Sequence, residues 1–279
     1  MMGDFRAALD ALVAENVQRR VRTIGLGELR TLCLDQGLTL QQGAREAVAH
    51  AVVPLPLLKN LHAVSATEQL RLLDATVLLA GAGGLGGYAL ELLARFGVGR
   101  IVVADGDGFE DSNMNRQLLS SVNNLGHNKA RAGAERARKT CPLVTVEPLD
   151  VFLDASNLAR TLTGVDVVID ALGGIAPRLV LHEAASRAGV PTVSAAVAGW
   201  TALVGSELPG QVGISRMWTN PEDKDAEHAL GSLAPAACLA AALQAAETVH
   251  YLTSGSLRLA GRMLHADLAS FHFEIFDLV

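Results

Sequence analysis

The stretch V-L-L-A-G-A-G-G-L-G-G, Val77 to Gly87, decides the fold. Four apolar residues, Val77 to Ala80, run straight into glycines, as buried parallel strands do. Gly81, Gly83 and Gly86 match G-x-G-x-x-G, with Gly84 and Gly87 extra. Glycines at such a turn let the backbone approach a phosphate, and the helix that follows aims free N–H groups at it. A second apolar run, Ile101 to Ala104, ends in Asp105, 19 residues beyond Gly86. An acid there is placed to bond a ribose hydroxyl. By itself this fingerprint suits NAD, FAD and SAM proteins as well as ATP proteins.

Outward from that unit, strands and helices alternate. A helix is expected over Leu85 to Phe96 and another over Lys129 to Lys139, before Cys141-Pro142. Strands are expected at Val144 to Leu149, Val165 to Asp170 and Pro191 to Ala196, with helices at Asn157 to Leu162 and Pro177 to Ala188. This alternation calls for an α/β, Rossmann-like, mostly parallel sheet with helices on both faces. Residues 200–216 and Leu257 to Val279 read as antiparallel strands, the latter a terminal hairpin. Asn220 to Glu227 reads as a solvated polar loop.

Pro54 and Pro56 mark a boundary. Residues 1–53 are expected to form a helical N-terminal appendage, and 54–279 the nucleotide-binding domain. Phe5, Ala8, Leu9 and Leu12 recur at helical spacing, a second helix covers Glu28 to Leu34, and Thr39 is placed to cap a third. Three short helices invite a DNA-reading assignment. Their six arginines are balanced by six acids, which leaves no electrostatic footprint for DNA. A packing or partner-binding role follows.

Composition narrows the field. The chain has 279 residues, 50% hydrophobic, and a net charge of −6, which disfavours non-specific nucleic-acid binding. Three scattered cysteines, Cys33, Cys141 and Cys238, do not make a disulfide framework and suggest a cytoplasmic protein. Ala229 to Ala246 is charge-free and about as long as a membrane span, but it is mostly alanine and contains Pro235. A buried or interface helix is the better reading, so no membrane is expected.

Beyond the glycines, Asp107 follows Asp105 in D-G-D. Asn113 and Arg116 stand in E-D-S-N-M-N-R-Q, Glu110 to Gln117, and Lys129 opens the next helix 13 residues after Arg116. Two cations and an amide then lie near the ligand-binding end of the sheet. Hydride transfer does not need that pair, which argues against a nicotinamide oxidoreductase. Splitting a triphosphate does need it, because charge builds on the α-phosphate and on the leaving pyrophosphate.

These residues, G-A-G-G-L-G, D-G-D, E-D-S-N-M-N-R-Q and Lys129, resemble the ThiF/MoeB/HesA superfamily, the bacterial relatives of ubiquitin-activating enzymes. The resemblance extends over about 57–279. It includes L-A-P-A-A-C-L-A-A-A-L-Q-A-A-E near residue 240 and L-A-G-R-M-L-H-A-D near the end. It implies that Gly81, Gly83, Gly84 and Gly86 cradle ATP and that Asp105 binds the ribose. Asn113, Arg116 and Lys129 hold the phosphates. Arg116 and Lys129 also stabilise the transition state. It implies a homodimer in which the partner supplies an N-terminal cation. Lys59, in P-L-P-L-L-K-N, stands where the family has arginine, keeping the charge without the bidentate fork. The implied reaction is adenylation of a carboxylate, the C-terminal Gly-Gly of a small ubiquitin-like sulfur carrier of ThiS or MoaD type, with Mg²⁺ and ATP. Adenylation of a small molecule or tRNA, and a nucleotide-binding scaffold without turnover, are the alternatives.

Three departures stand out. The family usually continues its V-V-I-D strand into D-x-x-D, whose second acid helps hold Mg²⁺. Here D-A-L-G-G puts Gly173 in that place, leaving Asp107 or Asp170 as candidate magnesium ligands. No C-x-x-C pair occurs, so a structural zinc is not expected. The crossover region 206–230 lacks a cysteine, and Cys238 reads as a packed core thiol, so no thioester step is expected.

Overall fold

The computed structural model describes residues 5–17, 20–218 and 226–278. The N-terminal part runs α1 (Phe5–Leu12), β1 (Ala14–Asn16), β2 (Val21–Ile24), α2 (Leu26–Gln36), α3 (Leu40–Ala49) and β3 (Val52–Pro54). The three expected helices are present, and Thr39 caps α3 by accepting from the Gln42 N–H at 3.1 Å. The segment is not purely helical, however. β1 pairs antiparallel with β2, and β2 pairs parallel with β3, in a small separate sheet. The strands come from short β-branched runs, V-R-T-I and V-V-P, too brief to show a period in the sequence.

A 3₁₀ turn, Leu55–Asn60, leads into α4 (Ala66–Asp74), capped by Ser65, whose hydroxyl accepts from the Glu68 N–H. Then follow β4 (Thr76–Ala80), α5 (Gly84–Phe96), β5 (Arg100–Ala104), α6 (Lys129–Thr140) and β6 (Thr145–Leu149). The chain continues through α7 (Leu158–Thr161), β7 (Val167–Asp170), α8 (Ile175–Ala188), β8 (Thr192–Ala198) and β9 (Thr201–Glu207). It closes with α9 (Glu227–Leu230), α10 (Ala234–Ser254), β10 (Arg262–Asp267) and β11 (His272–Asp277).

The main sheet has eight strands in the order β11-β10-β9-β8-β7-β4-β5-β6. The run β8-β7-β4-β5-β6 is parallel, and β9, β10 and β11 extend it antiparallel. Alternation along each strand explains the layers. Val77, Leu79, Ile101, Val103, Val167 and Ile169 point into one core with α5, α6 and α10. Leu78, Ala80, Val102, Ala104 and Val168 point into the other, with α7 and α8. Being buried on both faces is what gave these strands continuous apolar runs.

From β4 the chain winds outward to β5 and β6, then returns to β7 on the other side of β4. The strand order therefore reverses between β4 and β7, where open α/β sheets leave a crevice at the strands' carboxyl ends. Gly81 leaves β4 with φ +94°, and a Cβ on Gly86 would lie 1.9 Å from the Gly81 carbonyl oxygen. Only glycine lets α5 pack so tightly against the turn. Among the described residues no helix is long and apolar enough to cross a membrane.

Candidate active site

A cleft of about 790 Å³ opens at this switch point. Gly81, Gly83 and Gly84 form its floor, ahead of the first turn of α5. Its walls include Asp105, Asp107, Arg116, Gln117 and Lys129. The structure thus brings together the glycine turn, the acid and both cations expected from the sequence.

Asp105 ends β5 and accepts from two backbone N–H groups, Ala82 and Asp107, each at 2.8 Å. Burial pushes its carboxyl above the usual carboxylate value, against the pull of those two donors. The bonds tie the acid to the glycine turn, so the two are held in one frame. Asn128 adds to this frame. Its amide donates to the Asp105 and Asp107 carbonyls at 2.8 and 3.2 Å, and its oxygen caps α6. This buttress went unread in the sequence, although Asn before a helix-opening Lys is an N-cap signal. Lys129 is buried, its ammonium 3.3 Å from Asp107.

Arg116 lies against the glycine turn, where a Cβ on Gly84 would be 3.6 Å from its Cγ. It donates to the Ser112 carbonyl at 3.0 Å and the Asn115 amide oxygen at 2.9 Å, and pairs with Glu227 at 3.2 Å. Asn113 behaves differently from expectation. It is buried outside the cleft lining, and its oxygen accepts from the Glu110 N–H at 3.2 Å, closing a 3₁₀ turn. Here it shapes the loop that carries Arg116. Gln117, one turn on, lines the cleft instead, and its Oε1 has no hydrogen-bond partner.

Asp170 is not available to a metal. It is fully buried, and its Oδ2 takes Arg178 at 2.8 Å, Ser194 at 2.5 Å and His182 at 3.1 Å, while Oδ1 takes the Leu172 N–H at 3.1 Å. Four partners saturate the carboxylate. Burial would raise its pKa, but Arg178 and His182 hold it down at about 2. Both ring nitrogens of His182 face carboxylates, Asp170 and Glu207, so both carry protons. Burial would lower the His182 pKa, but these partners lift it to about 9. Arg178 also donates to the Leu172 carbonyl and lies 4.8 Å over the Trp218 ring, on the cleft wall. Two cations and two anions thus form a closed buried network under the β7 rim. Gly173 sits on that rim, exposed, with nothing within 4 Å of an added Cβ.

Lys59 is exposed and absent from the cleft lining. Its 3₁₀ turn packs beside Gly97, where a Cβ would lie 3.0 Å from Leu57. That is the far end of a 13-residue helix, roughly 20 Å from the glycine turn. Two other readings are corrected. Cys238 is exposed on α10, not a core thiol. Of the polar loop Asn220 to Glu227, residues 220–225 lie outside the described residues, and Glu227 faces the cleft rather than solvent alone.

Comparison with known proteins follows the same outline. The ThiF family matches residues 57–278. A SAMP-activating enzyme E1 of Haloferax volcanii is 39% identical over 127 residues, 46% of this chain and 47% of that one. A sulfur carrier protein adenylyltransferase of Thermus thermophilus is 38% identical over 129 residues, 46% of this chain and 48% of that one. The chain spans about half the length of these two relatives. Protein HesA of Nostoc sp. is 29% identical over 206 residues, 74% of this chain and 81% of that one. Among solved structures, E. coli MccB with ATP superposes with a TM-score of 0.66 at 21% identity, covering 76% of this chain and 66% of that one. At that identity the likeness shows the fold.

Proposed function

The chain belongs to the ThiF family, and from that premise we propose that it is an ATP-dependent adenylyltransferase acting on the C-terminal carboxylate of a ubiquitin-like sulfur carrier of ThiS or MoaD type. The observation that carries the reading is the convergence of the glycine turn, Asp105, Arg116 and Lys129 on one cleft at the switch point. In this reading the carboxylate oxygen attacks the α-phosphorus of ATP, the bond to the bridging oxygen breaks, and pyrophosphate leaves with both electrons of that bond. The product is an acyl-adenylate. Asp105 holds the ribose, the N–H groups at the start of α5 receive the phosphates, and Arg116 and Lys129 face the charge that builds on them. Side chains already held by Ser112, Asn115 and Asp107 need little reorganisation.

Magnesium, a hard cation, would be held here by carboxylates that line the cleft and would offset nucleotide charge. Asp107 lines the cleft and is half-exposed, so it fits that role, whereas Asp170 does not. Lys59, exposed and remote from its own cleft, suits the role of a cation donated across a homodimer. Residues 1–53 act as a packing or partner-binding appendage: Leu9, Leu29 and Val52 share a core with Leu57, Leu73 and Leu143 of the nucleotide-binding part. Free thiols at Cys33, Cys141 and Cys238 suit a reducing cytoplasm.

The test is calorimetry with ATP, AMP and NAD, followed by ATP–pyrophosphate exchange with a carrier ending in Gly-Gly. ATP binding and carrier-dependent exchange are expected. NAD binding without ATP binding overturns the reading. The bare rim at Gly173 favours a second reading, a nucleotide-binding scaffold, which predicts ATP binding with no exchange.

A further inference from the structure

Three carboxylates line the cleft among the described residues: Asp105, Asp107 and Glu227. They are not equivalent. Asp105 is occupied by two backbone N–H groups at the ribose end. Asp107 is paired with Lys129 on the β5 side. Glu227 opens α9 on the opposite wall, and its carboxylate lies 3.2 Å from the guanidinium of Arg116. On the β7 rim the described residues offer no free carboxylate, because Gly173 has no side chain and Asp170 is buried in its own network.

A phosphate held by Arg116 comes up against the Glu227 carboxylate. Two anions drawn to the same guanidinium repel each other, and a divalent cation between them relieves the repulsion. A divalent ion bridging carboxylate and phosphate oxygens resolves the conflict, and Mg²⁺ takes one or two protein carboxylates together with substrate phosphates. A second oxygen donor lines the same cleft. Ser232, five residues on, is 9% exposed, and its hydroxyl has no hydrogen-bond partner. Its carbonyl is pinned by the Asn115 amide at 3.1 Å, and Asn115 also accepts from Arg116. The wall bearing Glu227 and Ser232 is thereby tied to the loop that bears the phosphate-facing arginine.

We propose that Glu227 is, alongside Asp107, a protein carboxylate that holds the nucleotide's magnesium in this chain, assisted by Ser232, from the α9 wall and not from the β7 rim. This rests on the cleft being an ATP site. It gives the conformation of the Arg116–Glu227 pair a purpose: the arginine keeps the carboxylate at the phosphate position until the metal–nucleotide complex divides the two between them.

The experiment uses the full chain and α,β-methylene-ATP, with nucleotide binding followed by calorimetry with and without Mg²⁺. Mn²⁺ affinity of the protein–nucleotide complex is read by electron paramagnetic resonance. Glu227→Gln is expected to weaken Mn²⁺ binding about 10-fold or more while leaving metal-free nucleotide binding unchanged or tighter. Adding Gly173→Asp to Glu227→Gln is expected to restore metal affinity in part, since a side chain at 173 enters open space. Mn²⁺ affinity unchanged in Glu227→Gln overturns the proposal. Nucleotide binding tightened by the same factor with and without metal also overturns it, and makes Glu227 a competitor for Arg116 only. Failure of the wild-type chain to bind the nucleotide at all sinks the adenylation reading and this inference together; metal insensitivity of Glu227→Gln sinks this inference alone.

Discussion

Arg116 and Lys129 are each set against one carboxylate of their own chain, Glu227 and Asp107, and each is also fixed by its surroundings. Fixed cations aimed at one cleft are the arrangement that stabilises charge developing on phosphate oxygens. Arg116→Ala and Lys129→Ala are each expected to lower ATP–pyrophosphate exchange by about 100-fold or more, with the thermal midpoint little changed for the part-exposed Arg116. A second residue-scale prediction concerns His182. Its folded pKa of about 9 lies above the usual 6.5, so its charge stabilises the fold below 6.5, and that contribution is lost as pH rises through about 9. Asp170, held at about 2 against the usual 3.8, contributes above 3.8 and loses its contribution as pH falls through about 2. Melting temperature measured from pH 2 to 10 should fall on both flanks. His182→Gln should flatten the alkaline flank and cost about 3 kcal/mol at neutral pH, because it leaves Asp170 and Glu207 short of a buried cation.

The β4–turn–α5 unit is the element on which the cleft depends. A methyl at Gly86 would meet the Gly81 carbonyl oxygen at 1.9 Å, and backbone cannot step aside as a flexible side chain can. Gly86→Ala is therefore expected to destabilise the chain by roughly 3 kcal/mol and to abolish ATP binding, read by denaturant unfolding and calorimetry. A variant that keeps full ATP affinity would mean the turn does not cradle phosphate. These elements were legible because their periods are strong: apolar runs for buried strands, glycines at a turn that admits nothing else, Lys129 at a helix start. The strands β1, β2 and β3 were not legible, since runs of three or four residues carry no usable period. The position of Asn113 was not legible for a different reason. An amide in a polar loop can face a ligand or close its own turn, and only the backbone path, which places the Glu110 N–H 3.2 Å from its oxygen, separates the two.

On the scale of the whole molecule, the cleft holds the residues of one chain, and Lys59 lies at the other end of α5 from it. If a second copy supplies that cation, Lys59→Ala and Arg116→Ala are complementary lesions. Each alone is expected to be poor in pyrophosphate exchange, and a mixture should recover up to about a quarter of wild-type activity, since random pairing rebuilds one intact site in half of the dimers. No recovery in a mixture shown by native mass spectrometry to exchange subunits would place Lys59 outside the chemistry. The molecule also binds its N-terminal part to the rest through Leu57, Leu73 and Leu143, so the proline boundary at 54–56 is a junction in sequence and a shared core in space.

Sequence alone determined the parallel α/β sheet, the glycine turn and the cations that line the same cleft, because each depends on local pattern: two-sided burial of short strands, the missing Cβ of glycine, and fixed spacing along one βαβ unit. The tertiary structure decided what depends on partners distant in the chain. Asp170 spends its oxygens on Arg178, His182 and Ser194, and Glu227 reaches Arg116 from the far wall. A carboxylate's role follows from what surrounds it, and no local pattern records its neighbours. The glycine turn is where the two kinds of information meet, with a motif readable in eleven residues and a function set by side chains that converge on it from the rest of the chain.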